Sequence, residues 1–333
     1  MSTTTSVDVL VVGAGPVGLA CAIACKRAGL SARIVEKGGL VNSLIGYPTN
    51  MEFFSTPELL EIGDHPFVTS RYKPLREEGL DYYRRVAEAE QLDVLLYTRM
   101  LGVDGEAGAF SVSVQSVRSA ADGAGRIRAG SVIVATGFFD VPNRLGVEGE
   151  DLPKVTHYYK EPYRYAGQRV LVVGAKNSAA KAALQCRRNG ALVTMAVRGP
   201  AISDRVKYWL RPDLENRIAE GAITAYFNTT VARITPETVV MNTPDGPLEI
   251  GNDFVLAMTG YRPDYPFLSA LGIETQSDDA MTPVYDAETF QTNRRGVYLA
   301  GTVCGGLRTG RWFIENGRFH AAAIVQHITG NTA

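Results

Sequence analysis

The chain has 333 residues, 45% of them hydrophobic and 21% charged, enough for two domains that each enclose a core. Its net charge of -1 excludes a broad electrostatic pull toward nucleic acid or an anionic membrane. Four cysteines (Cys21, Cys25, Cys186 and Cys304) with no CxxC among them do not make a disulfide framework and fit a reducing cytoplasm.

The start, Met1–Val7, is polar and Thr-rich and lacks the charged region of a signal peptide. The apolar run Val9–Val12 is too short to span a bilayer, so the expectation is a cytoplasmic protein with no membrane segment. Val7–Val12 is a β-branched run, as expected of a strand buried on both faces of a parallel sheet. A glycine-rich turn, a helix over Leu19–Ala28 and a strand over Ala32–Val35 complete a βαβ unit. Gly38–Pro74 reads as loop-rich, Arg76–Gln91 as a helix, and Val94–Tyr97 and Ala109–Val117 as strands. Gly123–Gly125 signals a hairpin turn, and Ser131–Ala135 a buried strand closed by Thr136-Gly137. Phe139–Leu152, with Pro142, Gly146 and Gly149, reads as a linker.

The first pattern then returns. Arg169–Val173 is a predicted strand, Ser178–Arg188 a helix, Leu192–Val197 a strand, and Asp253–Met258 a further strand ending at Thr259-Gly260. The tail offers a strand at Gly296–Leu299, then Ala300-Gly301, then a helix at Gly317–Ile328. Two βαβ units about 160 residues apart are a duplication of domain type. The chain leaves the first domain near residue 145 and returns to it near 265, which divides it into 1–145 with 265–333, and 146–264.

Gly13-Ala14-Gly15-Pro16-Val17-Gly18 matches GxGxxG, directly after a strand and opening a helix. Gly13 permits the tight turn, Gly15 lets a pyrophosphate approach backbone N–H groups, and Gly18 lets helix and strand pack closely. The helix N-terminus carries partial positive charge and free N–H donors. Glu36, at the end of the second strand, suits a ribose 2′-OH and repels a 2′-phosphate. Gly174-Ala175-Lys176-Asn177-Ser178-Ala179 fills the same place in the second unit, with Lys176 available to meet a phosphate directly. No carboxylate ends its second strand. Arg198 stands there, followed by Arg205, Lys207 and Arg211, which favours NADPH over NADH.

The whole chain resembles the thioredoxin-reductase-like flavoproteins, through both loops, Ala135-Thr136-Gly137 and Thr259-Gly260-Tyr261-Arg262-Pro263-Asp264. In particular it is similar to the YpdA family, the bacillithiol-disulfide reductases. The strings that carry this are Val41-Asn42-Ser43, Tyr47-Pro48-Thr49-Asn50-Met51, Phe53-Phe54-Ser55-Thr56-Pro57-Glu58, His157-Tyr158-Tyr159-Lys160-Glu161-Pro162, Lys207-Tyr208-Trp209 and Phe313-Ile314-Glu315-Asn316-Gly317. The resemblance implies an α/β fold of two Rossmann-like dinucleotide-binding domains, the NADPH domain inserted into a discontinuous FAD domain. It assigns FAD to Gly13, Gly15, Pro16, Gly18, Glu36, Lys37, Asn42, Thr136, Gly137, Gly301 and Thr302. It assigns NADPH to Gly174, Lys176, Asn177, Ser178, Ala179, Arg198, Arg205, Lys207 and Gly260. Relatives of this type are homo-oligomers, so a homodimer or homotetramer is expected.

Three departures stand out. No CxxC occurs in the nicotinamide domain, which excludes a direct dithiol relay to thioredoxin. Val17 stands where YpdA-like proteins typically carry Cys, and Thr302 where thioredoxin reductases carry Asp. Cys304 is the best substitute thiol, and His157 and His320 are the candidate proton donors. No metal-ligand constellation appears. The expected activity is reduction of a small-molecule thiol disulfide by NADPH through FAD. Two alternatives stay open: electrons pass directly from FAD to a partner redox protein or quinone, or the chain is a non-catalytic redox sensor.

Overall fold

The computed structural model describes residues 5–118 and 124–330. They form two compact units: the described parts of Met1–Gly46, Asn50–Val141 and Tyr261–Ala333, and Tyr47–Thr49 with Pro142–Gly260. The crossing points lie about four residues before the expected 145 and 265. Tyr47–Thr49 groups with the second unit, where the Thr49 amide donates to the Lys160 carbonyl.

The first unit opens with β1 (Thr5–Val12), α1 (Pro16–Arg27) and β2 (Ala32–Val35). Val9–Val12 are buried, as a central strand requires. α1 begins at Pro16, earlier than expected, because proline is pre-organised for the first helical position. Its small residues are buried nearly all round, and Lys26 and Arg27 close its last turn. The stretch read as loop contains two short helices, α2 (Asn42–Gly46) and α3 (Pro57–Leu60), and α4 (Arg76–Ala89) follows. Then come β3 (Asp93–Leu95), β4 (Thr98–Asp104), β5 (Phe110–Ser116), β6 (Ala124–Val134) and β7 (Val141–Pro142). The hairpin turn expected at Gly123–Gly125 falls partly outside the described residues, with Gly125 inside β6.

The second unit holds β8 (Val155–Thr156), β9 (Arg169–Val173), α5 (Asn177–Arg188), β10 (Leu192–Ala196), α6 (Arg211–Ala219) and β11 (Thr224–Tyr226). A three-stranded antiparallel sheet follows, β12 (Thr230–Ile234), β13 (Thr238–Thr243) and β14 (Gly246–Gly251), and then β15 (Phe254–Ala257). The parallel sheet runs β11-β10-β9-β15-β8. Its registers pair Val173 with both Ala196 and Ala257, so Gly174, Val197 and Met258 share one edge.

Back in the first unit are β16 (Tyr261–Arg262), α7 (Tyr265–Ala270), β17 (Val297–Leu299), α8 (Ile314–Gly317) and α9 (His320–Ile328). The helix expected over Gly317–Ile328 is thus two helices. The first sheet runs β3-β2-β1-β6-β5-β4, and β17 also pairs with β6. The first half of β6 faces β5 and its second half faces β17. Val12 aligns with Val35 and Val134, and Leu299 with Val134. Gly13, Glu36, Ala135 and Ala300 therefore emerge together at the carboxyl edge, where ligands of open α/β sheets bind. Among the described residues no helix is long and apolar enough to cross a membrane.

Candidate functional site

Each glycine of the first loop answers to a different constraint. Gly13 has φ +106°, and a Cβ there would meet the Ala135 carbonyl oxygen at 2.7 Å. At Gly18 a Cβ would run into the carbonyl oxygen of Gly13. Gly15 has extended backbone that any residue adopts, and nothing lies within 4 Å of its Cβ position. Its missing side chain leaves open the N-terminus of α1, the cradle a pyrophosphate needs.

Glu36 ties the loop to the second strand. It is only 8% exposed. Its Oε2 accepts from the Ala14 amide at 2.9 Å and its Oε1 from the Gly38 amide at 2.7 Å. Burial raises this carboxyl above its ordinary value, and the two amide bonds oppose that rise. The Ala14 carbonyl accepts from the Val41 amide at 3.0 Å. Val41 is buried with φ +48°, a left-handed conformation that a β-branched residue adopts only under constraint. The Asn42 amide group lies against Gly38, and Lys37 pairs with Asp140 at 2.8 Å.

The opposite rim is made by two more turns. Gly137 has φ +67°, and a Cβ there would lie 3.2 Å from Thr302 Oγ1. Gly301 has φ +78° and abuts Val17, whose Cβ is 3.1 Å from where a Gly301 Cβ would stand. A Cβ on Gly317 would lie 3.2 Å from Gly301 Cα, so the end of α8 sits directly against the Gly301 turn. The FAD residues inferred from sequence thus gather around one sheet edge, with Val17 wedged between two glycines.

His320 and Cys304 lie behind that rim. His320 is 3% exposed, stacked on Phe290 with centroids 4.0 Å apart, and edge-on to Trp312. Its Nδ1 accepts from the Gly301 amide at 3.1 Å and lies 3.9 Å from Cys304 Sγ. Burial, with the nearby Arg311 charge, pushes the imidazole down to about 4. Burial likewise pushes the Cys304 thiol far up. At neutral pH the pair is thiol and neutral imidazole, not thiolate and imidazolium.

In the second unit Gly174 has φ +132°, and a Cβ there would meet the Met258 carbonyl oxygen at 2.6 Å. Ala179 is fully buried and fills the third glycine's place. Lys176 is the N-cap residue of α5, its side chain exposed, and Ser178 follows in the first turn. Asn177 clasps the loop that follows β10: its Nδ2 donates to the Arg205 carbonyl at 3.1 Å and its Oδ1 accepts from the Lys207 amide at 2.9 Å. The Ser203 amide donates to Ala175 at 3.1 Å beside it. Arg205 and Lys207 are thereby tied to the second loop, while Arg198 stands exposed after β10. Arg211 differs from the sequence expectation. It pairs with Asp204 at 2.5 Å and Glu215 at 2.7 Å and is spent within the protein.

Two residues escaped the sequence reading. Asn143 accepts from Thr259 Oγ1 at 2.5 Å and its amide donates to the Gly260 carbonyl at 2.9 Å, fixing the Thr259-Gly260 turn. Glu150, 5% exposed, accepts from the amides of Leu145 and Gly146 and pairs with His157 at 3.1 Å. Glu150 thus closes the turn over residues 145–150 and holds His157 beside it.

A family model described as pyridine nucleotide-disulphide oxidoreductase matches residues 10–301. The chain is 40% identical over 320 residues to the bacilliredoxin reductase Bdr of Bacillus subtilis, covering 96% of each protein. Among solved structures, the bacillithiol disulfide reductase Bdr (YpdA) of Bacillus cereus has a TM-score of 0.94 at 38% identity, over 98% of this chain and all of that one. The Staphylococcus aureus counterpart has a TM-score of 0.92 at 37% identity, over 99% of this chain and all of that one.

Proposed function

This chain belongs to the pyridine nucleotide-disulphide oxidoreductase family, in its Bdr (YpdA) branch, and we propose that it is an NADPH-dependent FAD enzyme that reduces a low-molecular-weight disulfide of the bacillithiol type. The observation that carries this reading is the division of labour among the loop glycines: two are demanded by the fold, and Gly15 is demanded only by what lies outside it. The same reading has it working in the cytoplasm as a homodimer or homotetramer.

FAD, when bound, supplies the two-electron exchange between nicotinamide and acceptor. The chain binds and orients. The open N-terminus of α1 takes the pyrophosphate, and Glu36 keeps lone pairs free beyond its two amide bonds for a ribose hydroxyl. Gly137 and Thr302 shape the far rim. In the second unit Lys176 meets the NADPH pyrophosphate, Arg198 the 2′-phosphate, and Asn177 holds the Arg205–Lys207 segment in reach.

The test is anaerobic addition of NADPH to the FAD-loaded protein. Loss of the visible flavin absorbance within seconds, and its return on adding bacillithiol disulfide, are expected. No loss sinks every catalytic reading and leaves a redox sensor. Loss followed by reoxidation with a quinone or a redox protein, but not with the disulfide, moves the acceptor to that class.

A further inference from the structure

None of the four thiols can be reached by an acceptor in this structure. Cys21, Cys25, Cys186 and Cys304 are each 0% exposed, and all four are free. Cys21 and Cys25 lie on the packed face of α1. Cys186 is enclosed in the apolar core of the second unit, beside Tyr159. Cys304 is covered at its Sγ by the neutral ring of His320. Burial pushes the Cys25 and Cys186 thiols up to about 12 and raises Cys21 and Cys304 as well. Thiol–disulfide exchange begins with a thiolate that has access to the disulfide, and here both conditions fail at every cysteine. The loop position that faces Gly301 and Gly317 holds no sulfur. It holds the Val17 isopropyl group, in contact with both glycines.

We propose that this chain delivers both electrons to its acceptor without forming a mixed disulfide with it, so that no protein cysteine takes part in turnover. The inference rests on the NADPH, FAD and disulfide reading above and adds how the electrons leave. The balance is NADPH + H⁺ + RSSR → NADP⁺ + 2 RSH. The acceptor S–S bond breaks, one sulfur takes the hydride equivalent, and the other leaves as a thiolate that takes the proton. NADPH is the reductant, and no protein S–S bond forms or breaks.

The experiment labels thiols during turnover. FAD-loaded protein is held anaerobically with a maleimide in three states: oxidised, reduced with NADPH, and turning over with NADPH and bacillithiol disulfide. Each sample is quenched in acid and its intact mass measured. No incorporated maleimide and no bacillithiol adduct are expected in any state, with all four cysteines labelled only after denaturation. A label gained on adding NADPH, or a mass increase of one bacillithiol during turnover, overturns the proposal. As a second arm, Cys21→Ala, Cys25→Ala, Cys186→Ala and Cys304→Ala are expected to keep the disulfide-reduction rate within about twofold of the parent. A variant that NADPH still reduces at the parent rate, but that no longer reduces the disulfide, also overturns it. If a variant fails to fold, the labelling of the parent still decides. If bacillithiol disulfide does not reoxidise the parent at all, the acceptor reading fails by itself, and the mass in the NADPH-reduced state still decides whether a cysteine has become reactive.

Discussion

The amide of Gly301 donates to Nδ1 of His320 at 3.1 Å, which leaves the ring proton on Nε2 and turns the imidazole toward the protein. His320 therefore positions the Gly301–Thr302 turn, and its burial with a neutral ring argues against the proton-donor role that its place in the sequence suggests. His320→Phe keeps the stacking on Phe290 but strands a buried amide, a cost of about 1–3 kcal/mol. His320→Asn restores an acceptor near the same point. Thermal unfolding of the FAD-loaded protein is expected to order parent > Asn > Phe, with FAD release fastest in the Phe variant. A Phe variant that loses stability yet holds FAD as tightly as the parent would confine His320 to packing.

The same histidine gives the fold a pH dependence. Its imidazole titrates at about 4 when folded, against an ordinary value near 6.5. The unfolded chain binds the proton first as pH falls, so the stability gained from keeping the ring neutral is whole above pH ~6.5 and lost toward pH ~4. The span corresponds to about 3 kcal/mol, at about 1.4 kcal/mol per pH unit. Chemical denaturation of the parent and of His320→Phe between pH 7 and pH 4 checks this. The parent is expected to lose about 3 kcal/mol more than the variant over that window. Parallel curves would remove His320 as the source.

The loop glycines separate folding from binding. Gly18→Ala drives a methyl group into the Gly13 carbonyl, and the expected outcome is insoluble or unfolded protein. Gly15→Ala meets no protein atom, so the apoprotein is expected to unfold at the parent temperature while its affinity for FAD falls about tenfold or more. Equilibrium dialysis with FAD, beside thermal unfolding without it, reads the two effects apart. Parent-like FAD affinity in Gly15→Ala would mean that the pyrophosphate does not lie over this residue.

The sequence shows the sheet edges plainly and their cross-links poorly. Val7–Val12 and Arg169–Val173 announce themselves as continuous apolar runs before glycines, and they fix where both loops sit. The strands β12–β14 carry a quieter signal. Val239 and Met241 alternate inward along β13, and Pro244-Asp245 forms the two-residue turn into Gly246, a pattern that the βαβ reading passes over. The pairing of His157 with Glu150 leaves no mark in the sequence, because Glu150 sits in a stretch that composition marks as linker, at a spacing no periodicity predicts. Val41 left no signal at all, since valine is among the residues least expected at positive φ. Arg211 looked like a free cation because the helix α6, which places Glu215 one turn away, was not anticipated.

The two nicotinamide cofactors share a pyrophosphate and differ at the 2′-phosphate, which lets single substitutions assign the second site. Lys176 caps α5, where the shared pyrophosphate would rest, so Lys176→Ala is expected to raise KM for NADPH and NADH by similar factors. Arg198, after β10, stands where a ribose is recognised, so Arg198→Ala is expected to raise KM for NADPH alone, by about tenfold. Asn177→Ala removes both bonds that hold the Arg205–Lys207 segment, and it too is expected to weaken NADPH selectively, with kcat and FAD content unchanged. Steady-state kinetics with both nucleotides on the three variants decide among these roles. An equal loss for NADPH and NADH in Arg198→Ala would place that guanidinium on the pyrophosphate. The preference for NADPH would then have to come from Arg205 and Lys207, which the Asn177→Ala ratio measures independently.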